Sequence, residues 1–347
     1  MSHPDHSLVG VFFCYNTNMN KENDIQSVVS GIQPSGRPHI GNYFGAMKRH
    51  IDMQDEYDQV YLFIAEYHAL TSTQDKQTLQ QNIYDLAVDY LALGLDPENV
   101  VFYRQKDVPE IFELTWIFNC LVNMGMLERA HAYKEKTAQG KTPNVGLFAY
   151  PVLQAADILI TGAQAVPVGK DQRQHIEYAR EIARTFNNTY EQVFNEPQEL
   201  IHESTGTIPG IDGQKMSKSY GNDIPLFADD DLLEDKIMSI ETDSTPIDEP
   251  KDPEEDTVFQ LHKLVTPEDE LAEIRDGYEN GGLGYGESKK RLLKHMKSFI
   301  KPLREKRAEI ADDKDRVKAV LKSGAEKIRP TAEEKLQKIR EVVGLHL

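Results

Sequence analysis

The chain has 347 residues, 39% of them hydrophobic and 28% charged, with a formal net charge of −18, which describes a soluble globular protein of one large domain and a smaller companion. No apolar run approaches the ~20 residues of a bilayer span, and the short run from Leu8 to Tyr15 lacks the basic flank of a signal peptide. Two cysteines, Cys14 and Cys120, exclude a disulfide framework and a cysteine-rich metal site and suit a reducing cytoplasm, while the acidity leaves room only for a local basic face toward nucleic acid.

Residues 1–26 are polar and irregular apart from that run, and are expected to form an N-terminal extension without regular structure. From Ser27 strand-like and helix-like segments alternate. SVVSGI (27–32) reads as a buried strand, followed by a turn, QPSG, and a helix, GNYFGAMKRHIDMQDE (41–56). QVYLFIAEYHAL (59–70) is a second strand running into a loop. Residues 77–94 place Ile83, Leu86, Ala87, Tyr90, Leu91 and Leu93 at helical spacing, with Gly94 and Pro97 closing that helix. VVFYRQ (100–105) is a third strand and residues 109–125 a further helix. Residues 127–160 are mostly helical, interrupted by a Gly/Lys/Pro-rich loop over 139–144. A short strand and turn follow over 163–172, then a helix over 173–186. GTIPGIDGQKMSKSYGND (206–223) reads as a Gly-rich, lysine-bearing mobile loop.

This β-α-β-α order predicts an α/β fold with a Rossmann-like doubly wound parallel sheet and a helical insertion. Ligands of such sheets lie at the carboxyl ends of the strands, where His39 and His68 fall. After Pro225 acidic loops and amphipathic helices take over without strand signals. That change suggests a boundary near Ile224, with a catalytic domain over 27–224 and a C-terminal all-α domain over 225–347. TDSTPIDEPKDPEED (242–256) is a solvated acidic loop. Residues 289–307 hold nine Lys/Arg and one Glu, a local charge of +8. Leu292, Leu293, Met296, Phe299, Ile300 and Leu303 share one helical face there, leaving the basic residues on the other. Pro302 is expected to kink or end that helix. The basic stripe is either a solvated face or a phosphate contact.

Two motifs carry chemistry. Pro-His-Ile-Gly-Asn opens the first helix and is weak alone. Lys215-Met216-Ser217-Lys218-Ser219 sits late, in the loop after the sheet segments. Together they suit nucleotide activation, in which a carboxylate attacks the α-phosphate of ATP and pyrophosphate leaves. Such chemistry rests on positioning and on stabilising phosphate charge. Gly41 would let phosphates approach the backbone N–H groups of a helix N-terminus, His39 and Asn42 would donate to phosphate oxygens, and two lysines would follow the pyrophosphate.

The pair resembles the two signatures of class I aminoacyl-tRNA synthetases. The wider segments GIQPSG (31–36), LER (127–129), YPVLQAADIL (150–159) and VPVGKDQRQHI (166–176) are similar to the bacterial-type tryptophanyl-tRNA synthetases, from about Val28 to the C-terminus. The resemblance implies a ligase that makes tryptophanyl-adenylate from L-tryptophan and ATP and transfers it to tRNA(Trp). The protein would be a cytoplasmic homodimer with no membrane role, and Mg²⁺ would be held mainly by the ATP phosphates, with no metal held by the protein itself. The helical domain would meet the anticodon.

Position by position, the same resemblance assigns Gln33, Pro34 and Ser35 to the ATP and amino-acid pocket and Gly41 and Asn42 to the phosphates. Asp157 becomes the acceptor for the indole N–H, Tyr150, Gln154 and Gln172 hold the substrate amino group, and Val166 and Val168 wall the indole pocket. Gly169, Lys170 and Asp171 lie beside the ribose and Ile208 beside adenine. His39, Asn42, Lys134, Lys215 and Lys218 act on the phosphates, flanked by Met216, Ser217 and Ser219.

Plainer roles compete. Val166 and Val168 also suit a strand core, His68, assigned to the tryptophan pocket, also suits an ordinary loop, and Lys134 a solvated pair with Lys136. Asp157 lies among apolar neighbours, so a buried carboxylate there needs a donor. Three positions depart from common patterns. Asn42 stands where most class I enzymes have His, although Asn is usual for the tryptophan branch. Gln154 replaces a frequent Met, and Lys170 replaces a frequent acid. A tyrosine enzyme shares the Tyr-x-x-x-Gln-x-x-Asp arrangement and is the first alternative. A nucleotidylyltransferase of the same superfamily and a catalytically silent relative are the others.

Overall fold

The computed structural model describes residues 25–140, 142–169, 173–201 and 207–346. Five strands form one wholly parallel sheet in the order β3-β2-β1-β4-β5. They are β1 (Ser27–Ile32), β2 (Gln59–Ile64), β3 (Val100–Arg104), β4 (Ala165–Val168) and β5 (Gln198–Ile201). The expected doubly wound sheet is present, and the strand order reverses between β1 and β4.

Alternation along each strand sends side chains into two cores. Val28, Val60, Leu62, Ile64, Val100, Phe102 and Ala165 face one, while Val29, Phe63, Ala65, Val101, Tyr103 and Val166 face the other. Helices cover both faces, which is why the strands read as apolar runs. On one face α4 (Lys76–Ala92) starts at Asp75, whose carboxylate accepts from the Thr78 N–H at 2.8 Å. On the other α8 (Val145–Thr161) is capped by Asn144 and ends at Gly162, whose φ of 71° suits glycine.

Four expectations differ from the structure. β5 was not read as a strand, because an edge strand of sequence QELI is half exposed and carries no apolar alternation. The loop expected after β2 holds a short helix, α3 (Glu66–Ala69). The single helix over 109–125 is two, α5 (Glu110–Asn119) and α6 (Met124–Glu128), because Asn123 caps the second through the Met126 N–H at 2.9 Å. Pro302 does not end its helix. With α1 (Ile40–Asn42), α2 (Lys48–Asp52), α6, α7 (His131–Ala138) and α9 (Arg173–Thr189) counted before it and α10 (Asp230–Met238), α11 (Thr257–Val265) and α12 (Glu268–Glu279) beside it, α13 runs unbroken from Tyr285 to Asp312. Anchors beyond the proline hold it. Arg304 donates to the Ala228 carbonyl and to Asp230, and buried Arg307 bridges Asp85 and Asp89 of α4 at 2.7 and 2.6 Å.

The core does not stop at Ile224. Leu226, Leu233, Ile237, Leu292, Met296, Ile300, Ile310, Val317 and Leu321 join the cluster that contains Val28 and Ile40. The last helix, α14 (Lys314–Val343), lies on β3 so closely that a Cβ on Gly324 would stand 1.9 Å from the Phe102 carbonyl oxygen. The C-terminal helices thus extend the first core, and Ala325, Ile328, Ala332 and Ile339 of α14 join the second. Phe259, Ile274, Tyr278 and Leu283 form a separate small core.

Beside that core, fully buried His262 meets the Ser288 carbonyl through Nε2 at 3.0 Å and the Thr266 hydroxyl through Nδ1 at 2.7 Å. A carbonyl only accepts, so Nε2 carries the proton and Nδ1 accepts from the threonine. Burial depresses this imidazole to about 4 from 6.5. The unfolded chain takes up the proton first, so the stability held above pH 6.5 declines as pH falls toward about 4, by about 3 kcal/mol. Asp89, pushed up to about 6 by burial, acts in the opposite sense. The difference between the parent and His262→Gln isolates the histidine: denaturant titrations across that window should show the variant gaining about 3 kcal/mol relative to the parent on acidification.

Candidate active site

Ligands of an open α/β sheet bind where the strand order reverses, and a cavity of about 390 Å³ opens there. Val29, Ser30 and Gly31 of β1, Phe63 of β2 and Val166 of β4 form its floor, with Gln33, His68, Tyr150, Gln154 and His175 around it. Gly31 is forced by this floor: the Phe63 ring covers it, and a Cβ would stand 2.4 Å from the ring carbon Cζ.

Of the residues assigned to the amino acid, Gln33, His68, Tyr150, Gln154 and Val166 line this one cavity. Val168 is half-buried at the end of β4, packed beside the second core. Asp157 is completely buried behind the wall, and it already has donors. Gln105 Nε2 donates to both carboxylate oxygens at 2.8 and 2.9 Å, and His68 Nε2 meets one of them at 2.8 Å. The donor that a buried carboxylate needs is therefore supplied from within the protein. Burial raises the Asp157 pKa, opposed by the bonds from His68 and Gln105. Tyr150 is fixed by its hydroxyl contact to His175 Nε2 at 2.9 Å.

The phosphate side is built on His39. Its Nδ1 accepts from the Asn42 N–H and Asn42 Oδ1 accepts from the His39 N–H, both at 3.1 Å, a reciprocal cap on α1. An Nδ1 that accepts leaves the proton on Nε2, so the neutral ring is a donor there. Burial lowers the His39 pKa, the Lys218 charge adds to this and Asp223 opposes it. The open helix N-terminus expected at Gly41 is not presented. The Ile40 N–H donates to the Ile224 carbonyl at 2.9 Å and the Gly41 N–H to Met216 Sδ at 3.4 Å. Donors toward a phosphate are then the His39 Nε2–H, the exposed Asn42 side chain and the lysines.

The lysine loop, expected to be mobile, is docked. Lys218 Nζ donates to the carbonyls of Ser35 and Arg37 at 2.8 and 3.1 Å, on the turn that leads into the first signature. Met216 is buried against α1, Ile208 is buried and accepts from the Met216 N–H at 3.0 Å, and the Ser217 and Ser219 hydroxyls meet at 2.8 Å. Lys215 is exposed, as is Lys134 on α7. Pro34 is buried and accepts from Asn82, while Ser35 is exposed and Gly169 half-buried. Lys170, Asp171 and Gln172 lie outside the described residues.

Three residues escaped the sequence reading: Gln105, His175 and Asn222. Gln105 follows β3 at its carboxyl end, so the strand rule applied to His39 and His68 would have found it. His175 stands near the start of α9, inside a quoted segment. Nothing in the sequence singled out Asn222.

A parallel sheet with a cavity at its switch point, and a lysine loop clasping the first helix beside it, defines a nucleotide-activating α/β enzyme. Residues 21–301 match the family model of tRNA synthetases class I (W and Y), so the chain belongs to that family. It is 48% identical over 318 residues to a tryptophan–tRNA ligase of Fusobacterium nucleatum, covering 91% of this chain and 97% of that one. The crystal structure of tryptophanyl-tRNA synthetase from Campylobacter jejuni, complexed with ADP and tryptophan, superposes with a TM-score of 0.86 at 46% identity, covering 92% of this chain and all of that one. The Mycoplasma pneumoniae tryptophanyl-tRNA synthetase is 28% identical with a TM-score of 0.76, over 93% of this chain and 98% of that one.

Proposed function

We infer that the protein activates L-tryptophan with ATP, forming tryptophanyl-adenylate and pyrophosphate, and transfers the tryptophanyl group to tRNA(Trp). The observation that carries this reading is the likeness, in both sequence and fold, to the Campylobacter jejuni enzyme holding ADP and tryptophan. Tryptophan would occupy the cavity, its ammonium near Tyr150 and Gln154 and its indole toward Val166 and Asp157. ATP would lie between the cavity and the lysine loop, with ribose near Gly169 and adenine near Ile208. Its phosphates would face His39, Asn42, Lys215 and Lys218, with Lys134 approaching from α7. In the first step the tryptophan carboxylate displaces pyrophosphate at the α-phosphorus, and the donors hold the departing charge. In the second the terminal ribose hydroxyl of tRNA takes the acyl group. The donor set beside the loop is lysine, amide and imidazole, which suits phosphates already carrying Mg²⁺; that ion supplies further charge neutralisation.

The test is amino-acid-dependent ATP–pyrophosphate exchange with each of the twenty amino acids. Exchange with tryptophan alone is expected; exchange with tyrosine alone would replace the reading. A homodimer would cover Trp116 and Met124, 70% and 63% exposed on α5 and α6. A cytoplasmic location fits the two cysteines, and among the described residues no helix is long and apolar enough to cross a membrane.

The tRNA contact is narrower than the basic stripe implies. Lys289 donates to the Met238 and Ile240 carbonyls, Lys297 pairs with Glu234, and Arg291, Arg304 and Arg307 also have internal carboxylate partners. Lys301 pairs with Glu305 one turn along its own helix, and Lys290, Lys294 and Lys306 remain exposed. Changing Lys290, Lys294 and Lys306 to Gln together should weaken tRNA binding about tenfold. The slope of log affinity against log salt should shrink by about 2 to 3, roughly one per lost phosphate contact. An unchanged slope in filter-binding titrations would assign these lysines to a solvated face.

A further inference from the structure

A loop that steers charge onto phosphates must hold its ammonium groups to within about an ångström, because misplacement on that scale slows a reaction about 10²-fold. The segment from Ile208 to Ile224 has almost no helix or strand to do this. Something else sets its shape, and the bonds converge on one side chain. We propose that Asn222, which nothing in the signature pattern assigns, is the positioning residue of the lysine loop. The proposal deepens the tryptophan-activation reading and rests on it.

Asn222 is 2% exposed. Its Oδ1 accepts from the Ser217 N–H at 2.8 Å, and its Nδ2 donates to Asp212 Oδ1 at 2.7 Å and to the Lys215 carbonyl at 3.2 Å. Oxygen and nitrogen are thus both engaged, so the amide has one orientation only. The two residues bonded through their backbones bracket Met216 and stand beside or on the two lysines. The Asn222 carbonyl in turn accepts from the Ile211 N–H at 2.9 Å, tying the far end of the turn to the same residue.

The surroundings are shaped to admit it. A Cβ on Gly210 would lie 2.5 Å from the Asn222 amide carbon, so only glycine leaves room for the side chain. Asp212 is held ready by the Gln214 N–H at 3.0 Å. Two residues beyond Asn222, the Ile224 carbonyl accepts from Ile40 at the start of α1. One buried amide therefore connects the turn, the backbone of both lysine-flanking positions and the strap that docks on the first signature. Asn222 is buried and bonded to the loop backbone, so it acts through Lys215 and Lys218.

The full-length protein and the variants Asn222→Ala, Asn222→Asp and Asp212→Asn/Asn222→Asp provide the test. Aspartate at 222 keeps the acceptor for Ser217 but faces Asp212 with a like charge and the Lys215 carbonyl with a second acceptor; the double variant restores the 212–222 donor–acceptor pair with the roles exchanged and leaves the Lys215 contact broken, so its recovery is partial. Asn222→Ala and Asn222→Asp should lower kcat of tryptophan-dependent exchange about 10- to 100-fold, with KM for tryptophan within about twofold. The double variant should recover at least about threefold over Asn222→Asp. Amide hydrogen exchange at Ser217 and Ile211 should accelerate at least about tenfold in Asn222→Ala. Unchanged kcat, a tryptophan KM that rises with the fall in kcat, or no recovery in the double variant would each overturn the proposal. If Asn222→Ala gives no cooperative melt, Asn222→Asp against the double variant decides it. Absence of exchange in the parent would refute the tryptophan reading alone; the hydrogen-exchange comparison still decides the brace.

Discussion

Replacing Lys218 with alanine is expected to lower kcat for adenylate formation about 10²- to 10³-fold while tryptophan binding stays within about twofold of the parent. The reason lies in what the ammonium touches. Lys218 Nζ rests on two neutral carbonyls, those of Ser35 and Arg37, and not on a carboxylate. Partial burial lowers its pKa, opposed by Asp223. The charge is therefore held in place without being neutralised by a bonded anion, and a phosphate oxygen offers a stronger acceptor than either carbonyl. In the proposed complex pyrophosphate release would concentrate negative charge where the loop meets the 35–37 turn, so the interaction would grow toward the transition state and appear in kcat. Arginine at 218 would keep the charge but carry a wider planar head, and should recover only part of the rate. Single-turnover adenylate formation together with equilibrium tryptophan binding separates the two effects. A rate within threefold of the parent would remove Lys218 from the phosphate machinery.

The same loop shows what was legible in the sequence. Lys215 to Ser219 was found because the chemistry-bearing residues are contiguous, but its docked state depends on Asn222, Met216 and the 35–37 carbonyls, which no local pattern signals. The fold follows the same division. β1 was read residue for residue, because neighbours on both sides and helices on both faces make Ser27–Ile32 a continuous buried run. β5 lies at the edge, bonds only β4 and buries none of its four residues, so the cue that revealed β1 is absent from Gln198–Ile201. Pro302 misled in the opposite direction. Its local penalty against helix is real, but Arg304 and Arg307 anchor the next turn to Ala228, Asp230, Asp85 and Asp89, and tertiary bonding prevails. In the cavity, Asp157 was legible from its apolar neighbours. Gln105 could have been placed on the ligand edge by its position after β3, but its bond to Asp157, 52 positions away, leaves no trace in spacing.

Asp157 is the second position where a large effect is expected. Its carboxylate accepts from Gln105 and His68 with no solvent exposure. Alanine there would strand both donors in a dry site, at about 1–3 kcal/mol each. Asparagine keeps the shape but turns an N–H toward Gln105 or His68, so one contact becomes donor against donor. Both variants should lower kcat/KM for tryptophan about 10²- to 10³-fold, while KM for ATP changes by less than about twofold. A destabilised pocket alone would also weaken tryptophan, so the deciding measurement is discrimination. The sulfur analogue of tryptophan, with benzothiophene in place of indole, has the same outline and no N–H. A site built to receive that N–H rejects the analogue, and removing the acceptor should collapse the tryptophan-to-analogue ratio toward one. If the ratio persists in Asp157→Asn, the reader of the indole is His68, which lines the cavity while Asp157 fixes its Nε2. In that case His68→Phe, and not Asp157→Asn, should abolish the discrimination.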